Sequence, residues 1–314
     1  MQYINLKGGC CMVNQIEPLI SSSPIIWAPT TIEEAIERKK EFGSEAEFVS
    51  GSTLLQLQWK NGRKVPKNII SLEQIPTLKQ IQIDEDKRIL SIGASTLLSS
   101  YKTDPNLKDF TVICEALQSI AAPAVRNRGT IGGNIMGGVG DLIPLFLALK
   151  AKLLFHDEQE TKLVDFWNWL QHSQKKTAAL LSAIQLTSDL VRTNSYSFYK
   201  KIGRRETFTA AILTVAGRIS WDEDGVIEEA NLALGGGDNQ PLLLENTAYH
   251  LIGKKGDVLD WKGVYTSILS EISPAEDAFV SANYRRKVAA NLMVAALQRE
   301  FTSIGCGEGD TDEI

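Results

Sequence analysis

The sequence is poor in the residues that hold metal ions and metal clusters. It has four cysteines and three histidines in 314 residues. The cysteines are Cys10, Cys11, Cys114 and Cys306. None of them shows the paired spacing of a zinc or iron–sulfur site. His156, His172 and His250 are equally scattered, so we expect no metal centre in this chain.

The chain also lacks an excess of positive charge and a long hydrophobic run. Its formal net charge of −5 at pH 7 argues against a general surface for nucleic acid or for an anionic membrane. The longest apolar segment, Leu142 to Phe155, is too short to cross a bilayer and contains two lysines, so we predict a buried helix running into a strand. With few cysteines and no signal peptide, the sequence indicates a cytoplasmic protein with reduced thiols.

The motifs of common nucleotide-binding and hydrolytic enzymes are missing as well. No G-x-x-x-x-G-K-[ST] segment occurs, which leaves a P-loop unsupported. Gly138 and Gly140 lack the third glycine and the preceding strand of a Rossmann fingerprint. No Ser-His-Asp arrangement and no distinct carboxylate pair stands out. If the chain is an enzyme, its chemistry is therefore expected to come from a cofactor rather than from a side chain.

The sequence does contain two turns built from small residues. One runs from Ser50 to Thr53 and the other from Thr130 to Asn134, within the segment RNRGTIGGNIMGGVGD (Arg126 to Asp141), which holds six glycines. So many glycines disfavour a helix or a central strand, and we predict a loop. Such turns present backbone N–H groups that bind anions, and two in one domain could clamp the two phosphates of a dinucleotide. The alternative is a pair of ordinary surface turns.

Hydrophobic periodicity and turn signals predict an α+β protein with two domains. The predicted organisation is an N-terminal tail over residues 1–23, a first domain over 24–190, a second domain over 195–302 and an acidic, disordered tail over 303–314. A purine-rich coding stretch for Lys-Gly-Gly before Met12 leads to the hypothesis that translation starts at Met12. The last helix is expected to bury Val288, Leu292, Val294, Ala295 and Leu297.

Taken in order, these segments resemble the FAD-binding subunit of the molybdenum hydroxylases, a family that includes xanthine, carbon monoxide and nicotinate dehydrogenases. The segment RNRGTIGGN is similar to the second flavin loop of the family, and SGSTLLQLQWKNG to the first. The other similar segments are APTTIEEA, NIISLEQIPTL, SIGASTLL, FYKKIGRRE, ALGGGDNQP and ANYRRKVAANLMVAAL. The resemblance implies a two-lobed FAD-binding domain of the vanillyl-alcohol-oxidase/PCMH type. A small α/β C-terminal domain of the CO dehydrogenase flavoprotein type would follow it.

The resemblance also assigns a site for non-covalently bound FAD. The implied cofactor-binding residues are Val49, Ser50, Gly51, Ser52, Thr53, Ile120, Thr130, Gly132, Gly133, Asn134, Asp141, Leu181 and Lys200. The first five would cradle the pyrophosphate from one side. Gly132 and Gly133 would let the backbone approach it from the other side, while Thr130 and Asn134 donate hydrogen bonds.

The remaining implied residues surround the ribityl chain and the flavin ring. Asp141 would accept hydrogen bonds from the hydroxyl groups of the cofactor, and Ile120 and Leu181 would pack against the ring. Lys200 matches a family lysine near the ring and is the residue predicted to act in catalysis. A cation at that position would stabilise the anionic reduced flavin.

The sequence differs from the family pattern at both loops. Ser52 stands where the first loop usually has its second glycine, and Leu54 where it usually has aspartate. The stretch from Asn134 to Asp141 is shorter than usual by about two residues, lacks the usual Ser-Pro, and has extra glycines that could span the same gap. These differences leave open a non-catalytic assembly subunit that has lost its flavin.

The function implied by the resemblance is electron transfer within a larger, xanthine dehydrogenase-like hydroxylase. A large subunit with molybdopterin would oxidise the substrate, for which a purine such as xanthine is the family expectation. A small [2Fe-2S] subunit would pass the electrons to the FAD of this chain, which would hand them to NAD⁺ or another acceptor. A stand-alone FAD-dependent oxidoreductase of the same fold is the second alternative.

Overall fold

The computed structural model describes residues 23–172, 179–187, 194–203, 211–237 and 239–305. Met12 and most of the two predicted tails lie outside these ranges. Residues 303–305, predicted as the start of the acidic tail, instead belong to the last helix. No helix in the described ranges is long and apolar enough to span a bilayer.

The first lobe is a small parallel sheet with helices. Its strands, in spatial order, are β1 (Ile25–Trp27), β3 (Asn68–Ser71) and β2 (Ala46–Val49). Its helices are α1 (Ile32–Phe42) and α2 (Thr53–Lys60). Helix α1 begins at Ile32, because Thr31 accepts a hydrogen bond from the Glu34 N–H at 3.2 Å and Glu34 accepts one from the Thr30 N–H at 2.8 Å.

The second lobe is a five-stranded antiparallel sheet packed against short helices. In spatial order its strands are β4 (Ile81–Asp84), β5 (Ile89–Gly93), β8 (Leu180–Thr187), β6 (Lys152–His156) and β7 (Thr161–Asp165). The helices are α3 (Thr111–Ser119), α4 (Pro123–Arg126), α5 (Ile131–Met136), α6 (Ile143–Ala148) and α7 (Phe166–His172). All six residues of α6 are buried and β6 follows it, which confirms the predicted helix-to-strand segment.

The glycine-rich segment is more regular than the sequence suggests. Helices α4 and α5 both reach into the stretch predicted as a loop. Thr130 caps the start of α5, since its side chain accepts a hydrogen bond from the Gly133 N–H at 3.1 Å. The prediction of a continuous loop is therefore wrong over residues 131–136, because a side-chain cap and packing outweigh the low helix propensity of glycine.

The C-terminal unit is a four-stranded antiparallel sheet between helices. Its strands, in spatial order, are β12 (Leu242–Leu243), β11 (Ile227–Gly235), β10 (Ala211–Trp221) and β9 (Ser195–Gly203). Its helices are α8 (Glu245–Leu251), α9 (Trp261–Glu271) and α10 (Ala282–Gly305). Helix α10 buries Ala289, Ala290, Met293, Ala296 and Leu297. Ala295, predicted to face inward, is exposed, because the buried stripe is rotated from the predicted one.

Helix α6 of the second lobe packs on the opposite face of the C-terminal sheet from α10. Small residues make this approach possible: Ala216 and Ala233 join the main core of the second lobe. A Cβ atom on Gly235 would lie 2.9 Å from the ring of Pro144. The two parts of the chain thus share a close-packed seam directly beside the glycine-rich segment.

Candidate functional site

The two small-residue turns predicted to bind phosphate lie against each other. Gly51, after β2, packs so tightly that a Cβ atom would overlap the carbonyl oxygen of Arg128. A Cβ atom on Gly129 would come within 3.3 Å of the Thr53 hydroxyl. The structure therefore brings the turns at 50–53 and 128–134, which are far apart in sequence, to one place between the two lobes.

A third segment, Ala94 to Leu97 after β5, joins these turns. The N–H of Ile131 donates to the Thr96 carbonyl at 2.9 Å, and the N–H of Gly132 donates to the Ala94 carbonyl at 2.8 Å. From the first turn, the Ser50 hydroxyl donates to the Ser95 hydroxyl at 3.0 Å. These bonds fix the backbone of the second turn to the segment 94–97.

The two adjacent glycines of the second turn have different environments. A Cβ atom on Gly132 would lie 2.6 Å from the Ala94 carbonyl oxygen, so packing of the chain on itself requires this glycine. Gly133 is exposed, and outside its own helix backbone a Cβ atom there would meet, among the described residues, the Thr130 hydroxyl oxygen at 2.9 Å. Of the pair, Gly133 is the one whose missing side chain leaves room for a ligand, although its N–H already bonds to the Thr130 hydroxyl at 3.1 Å.

Ser52, which replaces the usual glycine of the first turn, keeps a glycine-like backbone. Its φ is 54° and its ψ is 3°, in the left-handed region. Its hydroxyl accepts a hydrogen bond from the Gln56 amide at 3.2 Å and does not cap α2. The serine therefore adopts a backbone conformation that suits glycine, at the cost of strain.

The two other differences from the family pattern touch each other. Leu54, which stands in place of the usual aspartate, lies against Gly137: a Cβ atom on Gly137 would be 3.0 Å from a δ-methyl group of Leu54. Within the shortened segment, the Asn134 side-chain oxygen accepts a hydrogen bond from the Leu142 N–H at 3.0 Å. A Cβ atom on Gly140 would overlap Asn134. The leucine and the short glycine segment are thus in contact at the surface, where Leu54 is 41% exposed.

The residues predicted to face the flavin ring lie in the main core of the second lobe. Ile120, directly after α3, is 4% exposed and Leu181, on β8, is 6% exposed. Both belong to the same apolar cluster. Val49, at the end of β2, is also buried. Contact of Ile120 and Leu181 with a flavin ring stays a prediction.

Asp141 lies at the seam between the second lobe and β9. Its carboxylate pairs with the Lys201 ammonium at 2.7 Å, and its backbone oxygen accepts a hydrogen bond from the Tyr199 hydroxyl at 3.1 Å. The Lys201 ammonium also donates to the Ser119 carbonyl at 3.3 Å. Burial, helped by the Asp141 charge, raises the pKa of Tyr199 far above its usual range, so this hydroxyl remains a neutral donor.

The neighbouring Lys200 lies on the other face of the strand. Successive side chains of a strand point to opposite faces, and Phe198, two residues before Lys200, packs in the C-terminal core. Lys200 is exposed, whereas Lys201 reaches the residues predicted to surround the cofactor. The geometry therefore favours Lys201 as the cation of the site, and the catalytic role of Lys200 stays a prediction.

The residues at the junction fit the FAD that the resemblance implies. Gly133 is exposed, the second Asp141 carboxylate oxygen can accept a further bond, and the two turns are fixed close together. Thr96 is 2% exposed, and its hydroxyl has no hydrogen-bond partner in the described part of the chain. A buried hydroxyl left unpaired at this place is a donor that a bound polar group can use.

Sequence analysis missed two residues of this site: Thr96 and Lys201. Thr96 stands inside the motif SIGASTLL, which carried no role for it. Lys201 shares the face of Tyr199 through the period of two along β9, but the sequence alone does not say which face of this strand meets the first domain. The described residues contain no group of three or more His, Cys, Asp or Glu side chains suited to a metal ion.

Comparison with known proteins agrees with these features. The family profile described as the FAD binding domain in molybdopterin dehydrogenase matches residues 20–187, and the profile of the CO dehydrogenase flavoprotein C-terminal domain matches residues 197–299. The nicotinate dehydrogenase FAD-subunit of Eubacterium barkeri is 21% identical over 235 residues, which are 72% of this chain and 79% of that protein.

Further relatives act on different substrates according to their names. The carbon monoxide dehydrogenase medium chain of Hydrogenophaga pseudoflava is 34% identical over 112 residues, 35% of this chain and 38% of that one. The putative xanthine dehydrogenase FAD-binding subunit of Escherichia coli is 24% identical over 254 residues, 77% of this chain and 84% of that one.

The fold is also similar to a solved structure. A chain of the Hydrogenophaga pseudoflava carbon monoxide dehydrogenase that lacks the Mo-pyranopterin moiety of its cofactor aligns with a TM-score of 0.80 and 23% identity, over 87% of this chain and 96% of that chain. The predicted fold class and cofactor are thereby confirmed. The chain belongs to the family of FAD-binding domains of molybdopterin dehydrogenases and carries the C-terminal domain of the CO dehydrogenase flavoproteins.

Proposed function

We propose that this chain is the electron-transfer subunit of a molybdenum hydroxylase, with FAD held at the junction of its two lobes. The observation that carries the proposal is the convergence of the turns at 50–53 and 128–134 with the segment 94–97. FAD, when bound, would accept electrons one at a time from an iron–sulfur cluster and pass them in pairs to an acceptor such as NAD⁺. The protein contributes binding, orientation and charge.

The roles of the individual residues follow from the described contacts. The backbone of the turn at 50–53 and the exposed backbone at Gly133 would hold the two phosphates. Thr96 offers an unpaired hydroxyl beside them. Asp141 accepts hydrogen bonds from the sugar-like chain of the cofactor, and Lys201 fixes the orientation of that carboxylate.

The charge of Lys201 has a second consequence. The ammonium group is largely buried, with 9% of its side chain exposed, and lies beside the Ser119 carbonyl that precedes Ile120. A cation at this position favours negative charge on a ring packed against Ile120, since the interaction is weakly screened there. This is the role that the sequence assigned to Lys200.

The proposed partners are a large subunit with molybdopterin and a small subunit with [2Fe-2S] clusters. The names of the relatives support this division, since they describe an FAD subunit and a medium chain. NAD⁺ is proposed as the electron acceptor and a purine such as xanthine as the substrate of the assembly. The xanthine dehydrogenase subunit among the relatives supports that choice. A cytoplasmic location is part of the same proposal.

Purification of the native assembly tests this proposal. We expect the tagged chain to bring down one subunit with iron–sulfur absorbance and one with molybdenum. We expect xanthine to bleach the flavin absorbance anaerobically and NAD⁺ to restore it. Bleaching by xanthine in the isolated chain would favour the stand-alone oxidoreductase instead. An assembly with molybdenum and clusters but without flavin would favour the non-catalytic assembly subunit.

A further inference from the structure

The turn after α3 is held by two cations that come from opposite sides. Its backbone runs from Gln118 to Ala121, and the side chains of Arg126 and Lys201 bind its carbonyl oxygens. Ile120 lies in the middle of this turn. Both side chains are nearly excluded from solvent: the Arg126 residue is 7% exposed and the Lys201 side chain 9%.

Arg126 makes three of these four bonds, all with one nitrogen atom. Its Nη1 donates to the carbonyl oxygens of Gln118 at 3.2 Å, Ile120 at 2.8 Å and Ala121 at 2.5 Å. These partners are carbonyl groups rather than carboxylates, and no carboxylate in the described part of the chain neutralises the guanidinium charge. Burial of a cation that is bound by carbonyl dipoles costs free energy. A negative charge on a ligand nearby would offset this cost.

The turn also holds a strained residue. Ala121 has a φ of 49°, in the left-handed region that a side chain disfavours. The bonds from Arg126 to the carbonyls on both sides of Ala121 offset this strain and fix the direction of the Ile120 side chain. Arg126 also ends α4, directly before the turn at 128–134, so it connects the position of Ile120 to that of the phosphate-binding backbone.

We infer that Arg126 is a positioning residue for the flavin. It holds the turn 118–121 so that Ile120 packs against the ring, and its charge favours the reduced, anionic form. The inference rests on the proposed placement of FAD at this junction. Lys201 holds the same turn through Ser119 from the C-terminal sheet, so the turn is fixed by both parts of the chain.

Substitution of Arg126 in the full-length chain tests the inference. We expect Arg126→Met to weaken FAD binding about tenfold, as the loss of charge-assisted bonds predicts, to alter the visible circular dichroism of the bound flavin and to lower its reduction potential. Arg126→Lys retains the charge and should retain the potential. The matched control is Arg285→Met: Arg285 is 3% exposed and bonds to Asp277 and the Ala275 carbonyl, within the C-terminal unit.

A second variant separates positioning from simple loss of stability. Glycine adopts a left-handed backbone without strain, so Ala121→Gly in the Arg126→Met background should recover part of the FAD affinity. It should not recover the potential, since the charge is still absent. If Arg126→Met folds and binds FAD with unchanged affinity, dichroism and potential, the inference is wrong.

Two further outcomes are distinct from that one. If Arg126→Met unfolds at room temperature, the comparison of Arg126→Lys with the wild-type chain decides, and a changed potential with the charge retained would contradict the inference. If the wild-type chain itself binds no FAD, the proposed function fails first and this inference fails with it.

Discussion

At the level of single residues, Ser52 combines strain with a position in the cofactor site. Its φ of 54° suits glycine, the residue usual in the family. We expect Ser52→Gly to raise the free energy of unfolding by about 1 kcal/mol, measured by urea denaturation of the flavin-free chain. FAD affinity should change little, because the backbone keeps its geometry. A destabilised Ser52→Gly variant would show that the hydroxyl bond to Gln56 matters more than the strain.

Gly132 and Gly133 separate the packing function of glycine from the binding function. We expect Gly132→Ala to cost about 1–3 kcal/mol of stability, because the added Cβ meets the Ala94 backbone. Gly133→Ala should change stability by less than about 1 kcal/mol and yet weaken FAD binding, since the methyl group would stand where a phosphate approaches. Thermal unfolding and FAD titration measure the two effects. Unchanged FAD affinity in Gly133→Ala would place the phosphates elsewhere.

Lys200 and Lys201 form a natural pair for comparison. Lys201→Met leaves the Asp141 carboxylate, 15% exposed, without its ion pair, so we expect a loss of roughly 3 kcal/mol in stability and weaker FAD binding. Lys200→Met removes an exposed charge and should stay within about 0.5 kcal/mol of the wild type. If Lys200→Met changes the flavin potential while Lys201→Met does not, the sequence-based choice of Lys200 is right and the geometric one is wrong.

At the level of elements, Glu229 on β11 connects the C-terminal sheet to the end of α6. It pairs with Lys150, and the guanidinium of Arg218 lies 2.8 Å away. Burial alone would raise the pKa of Glu229, but the hydrogen bond and charge of Lys150 and the charge of Arg218 outweigh it and lower the pKa. The stabilisation is therefore complete above the unfolded-state value of about 4.3 and is lost as the pH falls through the folded-state value.

Thermal unfolding as a function of pH measures this contribution. We expect Glu229→Gln to have a lower melting temperature than the wild type at pH 7. The difference should shrink as the pH falls below about 4.3. Glu228→Gln is the matched control, because Glu228 is the exposed neighbour on the same strand. A difference between Glu229→Gln and wild type that does not depend on pH would contradict the proposed ion pair.

Elements with strong local signals could be predicted from the sequence, whereas contacts between distant segments could not. The start of α1 follows from Thr31 and Glu34, which are neighbours on one helical turn. The contact of Leu54 with Gly137 joins two distant segments that differ from the family pattern, and it depends on how α2 packs. The choice between Lys200 and Lys201 depends on strand register, which a single sequence leaves open by one residue.

At the level of the whole molecule, the proposed cofactor site lies beside the seam between the second lobe and the C-terminal sheet. Asp141 belongs to the first and Lys201 and Tyr199 to the second. The turn that carries Ile120 is held from both sides of this seam. Binding of FAD and docking of the C-terminal unit should therefore stabilise each other, as linked equilibria require.

The binding of FAD by the purified chain tests the central claim most directly. An absorbance spectrum, followed by release of the flavin with heat and its identification, gives the stoichiometry. We expect a yellow protein that releases FAD at about one equivalent per chain, as the single junction of the two turns with segment 94–97 requires. A colourless chain that also fails to bind added FAD would contradict the claim, and would mean that Ser52, Leu54 and the shortened glycine segment have abolished the site.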